Sequence, residues 1–157
     1  VLTGRLHMAQ AGEKHHSFLY RVYASTREEE VEAWGWEESF QQAFLRMQYD
    51  LQKRSYESQY PDAENYILMK DDFQIGVCML VRKADRMILV NVALLPAFRN
   101  SGYGTYLLQE LQEEAAEKKQ PIQLHVMRGN EALRLYERLG FHMVEEQGMH
   151  ILMEWKP

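Results

Sequence analysis

The apolar positions of this chain change period several times, and each change marks an expected element. Residues 5–9 alternate weakly, as a short strand would. From 13 to 24, Phe18/Val22 and Leu19/Tyr23 stand four apart, the spacing of a helix face. Ser25 and Thr26 are followed three residues later by Glu28 and Glu29, so a capping box is expected to open a second helix. Phe40, Phe44, Met47 and Leu51 step by four, three and four, the stripe of an amphipathic helix. Gly35 is placed to split this region into two helices, and Tyr60-Pro61-Asp62 ends it. The period then shortens. Segments 66–70, 73–82 and 87–95 are rich in Ile, Val, Leu and Met, and short polar stretches separate them, as in an antiparallel meander. After Pro96 a helix returns, with Leu107, Leu111 and Ala115 on one face and Glu110, Glu113, Glu114, Glu117 and Lys118 on the other. A strand at 122–126 follows Pro121. Asn130 opens a short helix that Gly140 stops, and 141–146 and 149–155 form a hairpin around Gln147-Gly148.

Strand 87–95, helix 102–119 and strand 122–126 make one βαβ unit, so those two strands should be parallel. The remaining order predicts a mixed α/β fold: a mostly antiparallel sheet of six or seven strands with helices on both faces. A length of 157 residues suits one domain, 1–157. Apolar residues at 46% and charged residues at 26% argue against disorder. The formal net charge is -5, from 18 Lys+Arg against 23 Asp+Glu, which disfavours sequence-independent nucleic-acid binding. A single cysteine, Cys78, excludes an internal disulfide and a multi-thiolate metal site, and its apolar setting reads as a buried, inert thiol. No run approaches the roughly 18 apolar residues of a membrane span. Residues 1–5 lack the apolar core of a secretion signal. His15 and His16 are adjacent, without i,i+4 ligand spacing, and read as solvated surface; no metal is expected. The expectation is a cytoplasmic protein with no nucleic-acid or membrane partner.

The chemistry concentrates in Arg99-Asn100-Ser101-Gly102-Tyr103-Gly104-Thr105, between an apolar strand and an amphipathic helix. A glycine in a helix costs roughly 0.5–1 kcal/mol against alanine, so two there suggest that something approaches the main chain closely. Unpaired N–H groups and a positive dipole end suit a phosphate or pyrophosphate, and Arg99 adds a cation at the rim. Gly104 is followed by Thr105 without lysine, against a Walker A loop, and Leu107 occupies the third-glycine position of a dinucleotide fingerprint. The alternative is a plain strand–helix turn that uses two glycines. In the second segment, Asn130 reads as an N-cap, Tyr136 as a core aromatic or a functional phenol, and Gly140 as a C-cap.

Together the two segments resemble the GNAT family of acyl-CoA-dependent N-acyltransferases. Arg99, Gly102 and Gly104 match its Arg/Gln-x-x-Gly-x-Gly/Ala signature after an apolar strand and Pro96. Asn130, Leu135, Tyr136, Gly140 and Phe141 match its Asn…Leu-Tyr-x-x-x-Gly-Phe signature. The resemblance implies the GNAT acyl-CoA N-acyltransferase fold, with strands 87–95 and 122–126 parallel and splayed, and acetyl-CoA as cosubstrate. It implies that Val92, Ala93 and Leu94 pair with the pantetheine arm and that the amides of Asn100, Ser101, Gly102, Tyr103, Gly104 and Thr105 hold the pyrophosphate. Asn130 would contact the cofactor, and Tyr136 would sit beside the sulfur as the catalytic acid. The implied activity is direct acetyl transfer to a primary amine of a small molecule or peptide; the alternative is a non-catalytic acyl-CoA sensor on the same fold. The C-terminal hairpin offers an open edge through which a homodimer would form.

A primary amine with a pKa of about 10 must shed a proton before it attacks. Glu37 and Glu38 are candidate bases, Asn91 is neutral, and His125 is either a cleft residue or structural. The cluster Trp34-Gly35-Trp36-Glu37-Glu38 reads either as acceptor pocket, favouring a cationic amine, or as core tryptophans beside exposed glutamates.

Overall fold

The computed structural model describes residues 6–157. In chain order these form β1 (Leu6–Gln10), α1 (His16–Ser25), α2 (Glu28–Glu32), α3 (Glu38–Gln59), β2 (Glu64–Lys70), β3 (Phe73–Arg82) and β4 (Met87–Leu94). Then come α4 (Tyr103–Glu117), β5 (Ile122–Met127), α5 (Ala132–Arg138), β6 (His142–Gln147) and β7 (His150–Trp155). Short 3-10 turns precede α1 and follow β4. Arg5, the expected start of the first strand, lies outside the described residues.

The strands make one sheet in the order β1-β2-β3-β4-β5-β7-β6. Every neighbouring pair is antiparallel except β4 and β5. That parallel pair is short: Met87 to Leu89 meet Ile122 to Leu124, and then the strands part. A bulge coincides with the parting. Leu80 lies opposite Leu89, but Met79 lies opposite Asn91, so Val90 has no partner across the strand. An extra residue of this kind bends and twists its strand. Beyond it β4 still follows β3 and leaves a wedge-shaped gap toward β5.

The two faces of the sheet carry different layers. Leu107, Leu108, Leu111 and Ala115 of α4 pack with Tyr136 of α5 on Ile75, Leu80, Leu89 and Leu124. Gln112 Nε2 donates to the Leu139 carbonyl at 2.9 Å and ties α4 to the end of α5. On the opposite face Phe18 and Val22 of α1 cover Ile67, Val77 and Leu95. α3 lies against α1, where Leu45 joins Ala24 and Val31 in a small satellite core. Arg82 pins three elements together. Its guanidinium bonds Glu114 of α4 at 2.7 and 3.0 Å, Glu64 of β2 at 2.8 Å and the Tyr66 hydroxyl at 2.7 Å. Tyr66 in turn donates to Glu64.

Three local expectations are corrected. The Ser25 and Thr26 hydroxyls do not cap α2; they donate backwards to the Val22 and Tyr23 carbonyls, each at 2.6 Å. The last carbonyls of α1 lack helical partners and take the nearest donors. His15 is buried, not solvated: its Nδ1 accepts from the Gly12 amide at 2.9 Å and closes the turn before α1. Phe40, Met47 and Leu51 do not face the core; each is at least half exposed.

Candidate active site

The outer half of β4 forms one wall of the gap. The Leu95 amide donates to the Ile75 carbonyl at 2.9 Å. Antiparallel pairs alternate between bonded and non-bonded, so Ala93 also exchanges with β3, while the main-chain groups of Val92 and Leu94 point the other way. Arg99 reports the same direction, because its Nε donates to the Leu94 carbonyl at 2.9 Å from the side opposite β3. Val92 and Leu94 therefore offer the gap a polar backbone edge. Ala93 instead turns its methyl toward the α1 face.

At the top of this edge the chain turns into α4. Asn100 and Gly102 adopt left-handed conformations, φ 58° and 87°. The first helical bond of α4 runs from the Tyr106 amide to the Gly102 carbonyl at 3.0 Å. Among the described residues, the amides of Tyr103, Gly104 and Thr105 therefore have no partner. With the left-handed loop before them they form a concave row of donors at the positive end of a helix, a geometry suited to a phosphate group. The Ser101 hydroxyl turns back to the Arg99 carbonyl at 3.3 Å. A Cβ on Gly104 would meet Leu135 Cδ2 at 3.5 Å, so the head of α4 lies close against α5. Arg99 is placed differently from the rim position expected of it. Its guanidinium spans the Leu94 carbonyl and Ser25, at 3.4 Å from Oγ and 3.5 Å from the carbonyl oxygen. There it meets the negative end of α1 and ties β4, the loop and α1 together.

α5 supplies the second segment. Asn130 Oδ1 accepts from the Ala132 amide at 2.8 Å, so this side chain caps α5 and keeps its amide nitrogen for another partner. Tyr136 is buried with its ring 5.7 Å from that of Phe141. Gly140, at φ 95°, turns the chain so that the Phe141 amide returns to the Tyr136 carbonyl at 3.0 Å. Burial, helped by nearby Cys78, pushes the Tyr136 phenol up to about 12. Burial also pushes the Cys78 thiol up to about 12, against the pull of Arg82. Both groups keep their protons at neutral pH, and the buried Cys78 thiol is inert.

Behind β4, on the α1 face, lies a cavity of about 820 Å³. Its floor is a row across three strands: Asn65 opposite Met79, and Met79 opposite Asn91. The bulge at Val90 explains why Asn91 is there. Leu89 belongs to the α4 face, and the inserted residue lets Asn91 turn to the cavity while Val92 returns to the α4 side. Asn91 is half-buried, and its side-chain amide has no hydrogen-bond partner among the described residues. The outer wall is Tyr49, Gln52, Tyr56 and Tyr60 from α3 and its end, with Tyr23 of α1 beside them. Burial raises the phenols of Tyr49 and Tyr56 above their ordinary value. Glu13, Glu57 and His16 supply ionisable groups, and Arg27 and Lys53 bring two cations to the same lining.

The segment from Trp34 to Glu38 does not line this cavity, and neither does His125. Glu37 and Glu38 are exposed at the start of α3, and the two exposed tryptophans pack edge-on against Phe44 at the border of the satellite core. The α3 wall was missed in the sequence. Its signal is a second stripe, Leu45, Tyr49, Gln52 and Tyr56, at the same helical spacing as the apolar stripe.

A mixed sheet that splits at its one parallel pair, with a glycine loop heading the helix between those strands, is the GNAT architecture. Residues 61–143, just over half of the chain, match the acetyltransferase (GNAT) domain family, and the chain belongs to it. Among curated relatives, the [ribosomal protein bS18]-alanine N-acetyltransferase of Haemophilus influenzae is 34% identical over 82 residues. That match covers 52% of this chain and 56% of the relative, so it spans about half the length of each. Among solved structures, the PaiA N-acetyltransferase of Thermoplasma acidophilum, in complex with coenzyme A, superimposes with a TM-score of 0.71 at 21% identity. It covers 97% of this chain and 99% of its own. A GNAT family acetyltransferase of Elizabethkingia anophelis with acetyl-CoA bound gives a TM-score of 0.61 at 17% identity, covering 97% of each chain. Among the described residues no helix is long and apolar enough to cross a membrane.

Proposed function

We propose that the chain acts as a single cytoplasmic N-acetyltransferase domain that moves an acetyl group from acetyl-CoA to a primary amine of a small molecule or peptide. One juxtaposition carries this reading: the polar backbone edge of β4 separates the unpaired amides at the head of α4 from the cavity beneath α1 and α3. The thioester supplies an activated acyl group, and the residues of this chain fit it. The amides of Tyr103, Gly104 and Thr105, with the turn at Asn100 to Gly102, hold the pyrophosphate. Val92 and Leu94 take up the pantetheine arm as an added strand would be taken up. A free β4 amide facing the gap stabilises negative charge on the carbonyl oxygen. Asn130 retains an amide donor for the cofactor.

The amine enters the cavity, where Glu13 and Glu57 offer carboxylates that Arg27 and Lys53 balance and the tyrosine rings accommodate an ammonium ion. Asn91 Oδ1, facing the same space, accepts a hydrogen bond from the nitrogen and orients it. The nitrogen must lose a proton, and Glu13, Glu57 and His16 are the lining groups able to accept it. As the C–N bond forms and the C–S bond breaks, the Tyr136 phenol donates its proton to the departing thiolate, and the second proton, shed by the acylated nitrogen, passes through solvent to restore the phenol. The Haemophilus influenzae relative is named for acetylation of an alanine on a ribosomal protein, which supports including peptide amines among the acceptors.

The test pairs calorimetric titration of acetyl-CoA with thiol release across an amine panel of polyamines, lysine peptides and alanine-terminated peptides. Uptake of acetyl-CoA with turnover on at least one amine is expected. Absence of acetyl-CoA uptake removes the whole reading, and uptake without turnover removes the enzyme.

A further inference from the structure

α3 has two working faces. Leu45, Tyr49, Gln52 and Tyr56 turn toward α1 and the cavity. Phe40, Met47 and Leu51 turn to solvent and are 63%, 50% and 51% exposed, while Phe44 between them is half-buried, one edge packed on the core of Ala24, Val31 and Leu45. Trp34 and Trp36, 40% and 45% exposed, prolong this stripe, their rings 5.2 and 5.6 Å from that of Phe44. Single exposed apolar residues are commonplace, but a continuous stripe marks a contact surface. Phe40 to Leu51 alone spans about 16 Å of helix. On the inward side α3 buries one side chain fully, Leu45, worth about 1.5–3 kcal/mol. That is little for a helix of 22 residues.

We propose that this stripe is the contact surface for a second copy of the chain, with the two α3 helices packed antiparallel about a two-fold axis. The stripe is complementary to itself. Reversed about the midpoint between residues 45 and 46, Phe40 falls opposite Leu51 and Phe44 opposite Met47. The same reversal sets Glu37 at the level of Arg54. A two-fold interface demands this reciprocity, in which residue i meets j and j meets i. The charges select the direction. The start of α3 is acidic, with Glu28, Glu29, Glu30 and Glu32 of α2 just before Glu37 and Glu38. A parallel pair would bring two such ends together, whereas the antiparallel pair sets each near the partner's Arg54 and opposes the helix dipoles. The positions flanking the apolar residues include Ala43 and Gln48, neither of them charged. Arg46 is turned away, stacked 4.9 Å over the Tyr20 ring. The second copy thus backs the helix that walls the cavity.

Sedimentation velocity on the full chain between about 1 and 100 µM, a range suited to an interface of ordinary size, tests the proposal. The wild type is expected to pass from monomer to dimer. The double variant Phe40→Asp/Leu51→Asp is expected to stay monomeric with an unchanged circular dichroism spectrum and, at about 1 µM where the wild type is monomeric as well, an unchanged melting curve, since both side chains already meet water. A wild type that remains monomeric throughout overturns the proposal. So does a double variant that dimerises as tightly, which would place the contact elsewhere, for example at the open β6 edge. Direction is read separately by mixing Phe40→Cys chains with Leu51→Cys chains under mild oxidation. Disulfide dimers are expected in the mixture and not from either variant alone, and efficient self-linking of Phe40→Cys overturns the antiparallel arrangement. Cys78 is buried and takes no part.

Discussion

Gly76→Ala adds one methyl group where β3 crosses the outer half of β4. Gly76 lies opposite Leu94. A Cβ there would stand 2.3 Å from the Ala93 carbonyl oxygen and 2.9 Å from Leu94 Cδ2. The leucine methyl can rotate aside, but the carbonyl belongs to the strand. β4 must retreat by about 0.7 Å merely to reach the 3.0 Å that real Cβ contacts respect. Replacing glycine by alanine ordinarily gains about 0.4–1 kcal/mol by restricting the unfolded chain. Forced overpacking costs about 1–3 kcal/mol, and the upper end applies because the obstacle is main chain. The net loss is about 2 kcal/mol, or a fall in melting temperature of about 4–8 °C for a domain of this size. The displaced segment is the one whose Val92 and Leu94 edge faces the gap, so acetyl-CoA affinity should fall with stability. Differential scanning calorimetry and isothermal titration on the same preparation measure both. A melting temperature equal to or above wild type would refute the packing argument. A lower melting temperature with wild-type affinity would refute the role of β4 in holding the thioester.

Tyr136→Phe should lower kcat by about 100-fold or more, the scale of a lost general acid, while acetyl-CoA affinity stays within about twofold; thiol release and titration separate the two. Gly104→Val fills the seam between α4 and α5 beside the unpaired amides and should weaken acetyl-CoA binding at least tenfold by calorimetry, whereas Gly104→Ala, at an ordinary contact distance from Leu135, should fold normally. Glu57→Gln should raise KM for cationic amines more than for neutral ones. Neutralising Glu37 and Glu38 together should leave that ratio unchanged, because neither lines the cavity. The bond from Tyr66, with Arg82 beside it, holds Glu64 below the usual carboxylate range, and Arg82 first of all does the same for Glu114. A carboxylate with a lowered folded-state pKa stabilises above its unfolded value, about 4.3, and loses that contribution as pH falls through the folded value. Melting temperature should therefore drop more steeply between about pH 4.5 and 3 in wild type than in Arg82→Met.

The element order was legible because each period persisted long enough to be unambiguous. The short apolar runs of β3 and β4, bounded by polar turns, and the spacing of Leu107, Leu111 and Ala115 in α4 are local patterns that the tertiary structure reinforces. The loop was legible because Gly102 is needed for its left-handed turn. What could not be read locally depends on pairing between strands. The bulge at Val90 has no glycine or proline to announce it, yet it sets which face Asn91 takes and where β4 leaves β5. The reach of Arg99 to Ser25 is likewise a contact between residues 74 positions apart.

α3 shows the same limit in its sharpest form. Phe40, Phe44, Met47 and Leu51 are the more hydrophobic stripe, and hydrophobicity alone points them at the core. Yet the side that α3 offers to α1 is the stripe of Leu45, Tyr49, Gln52 and Tyr56. Tyr49 packs on Tyr20 and Tyr23 at 5.5 Å, and Gln52 and Tyr56 line an open cavity rather than a sealed seam. Within one chain, exposing the greasier stripe and burying the more polar one runs against the transfer energies. The inversion makes physical sense when both stripes have a destination, the tyrosine side serving a pocket for a polar acceptor and the apolar side a surface that a second chain can cover.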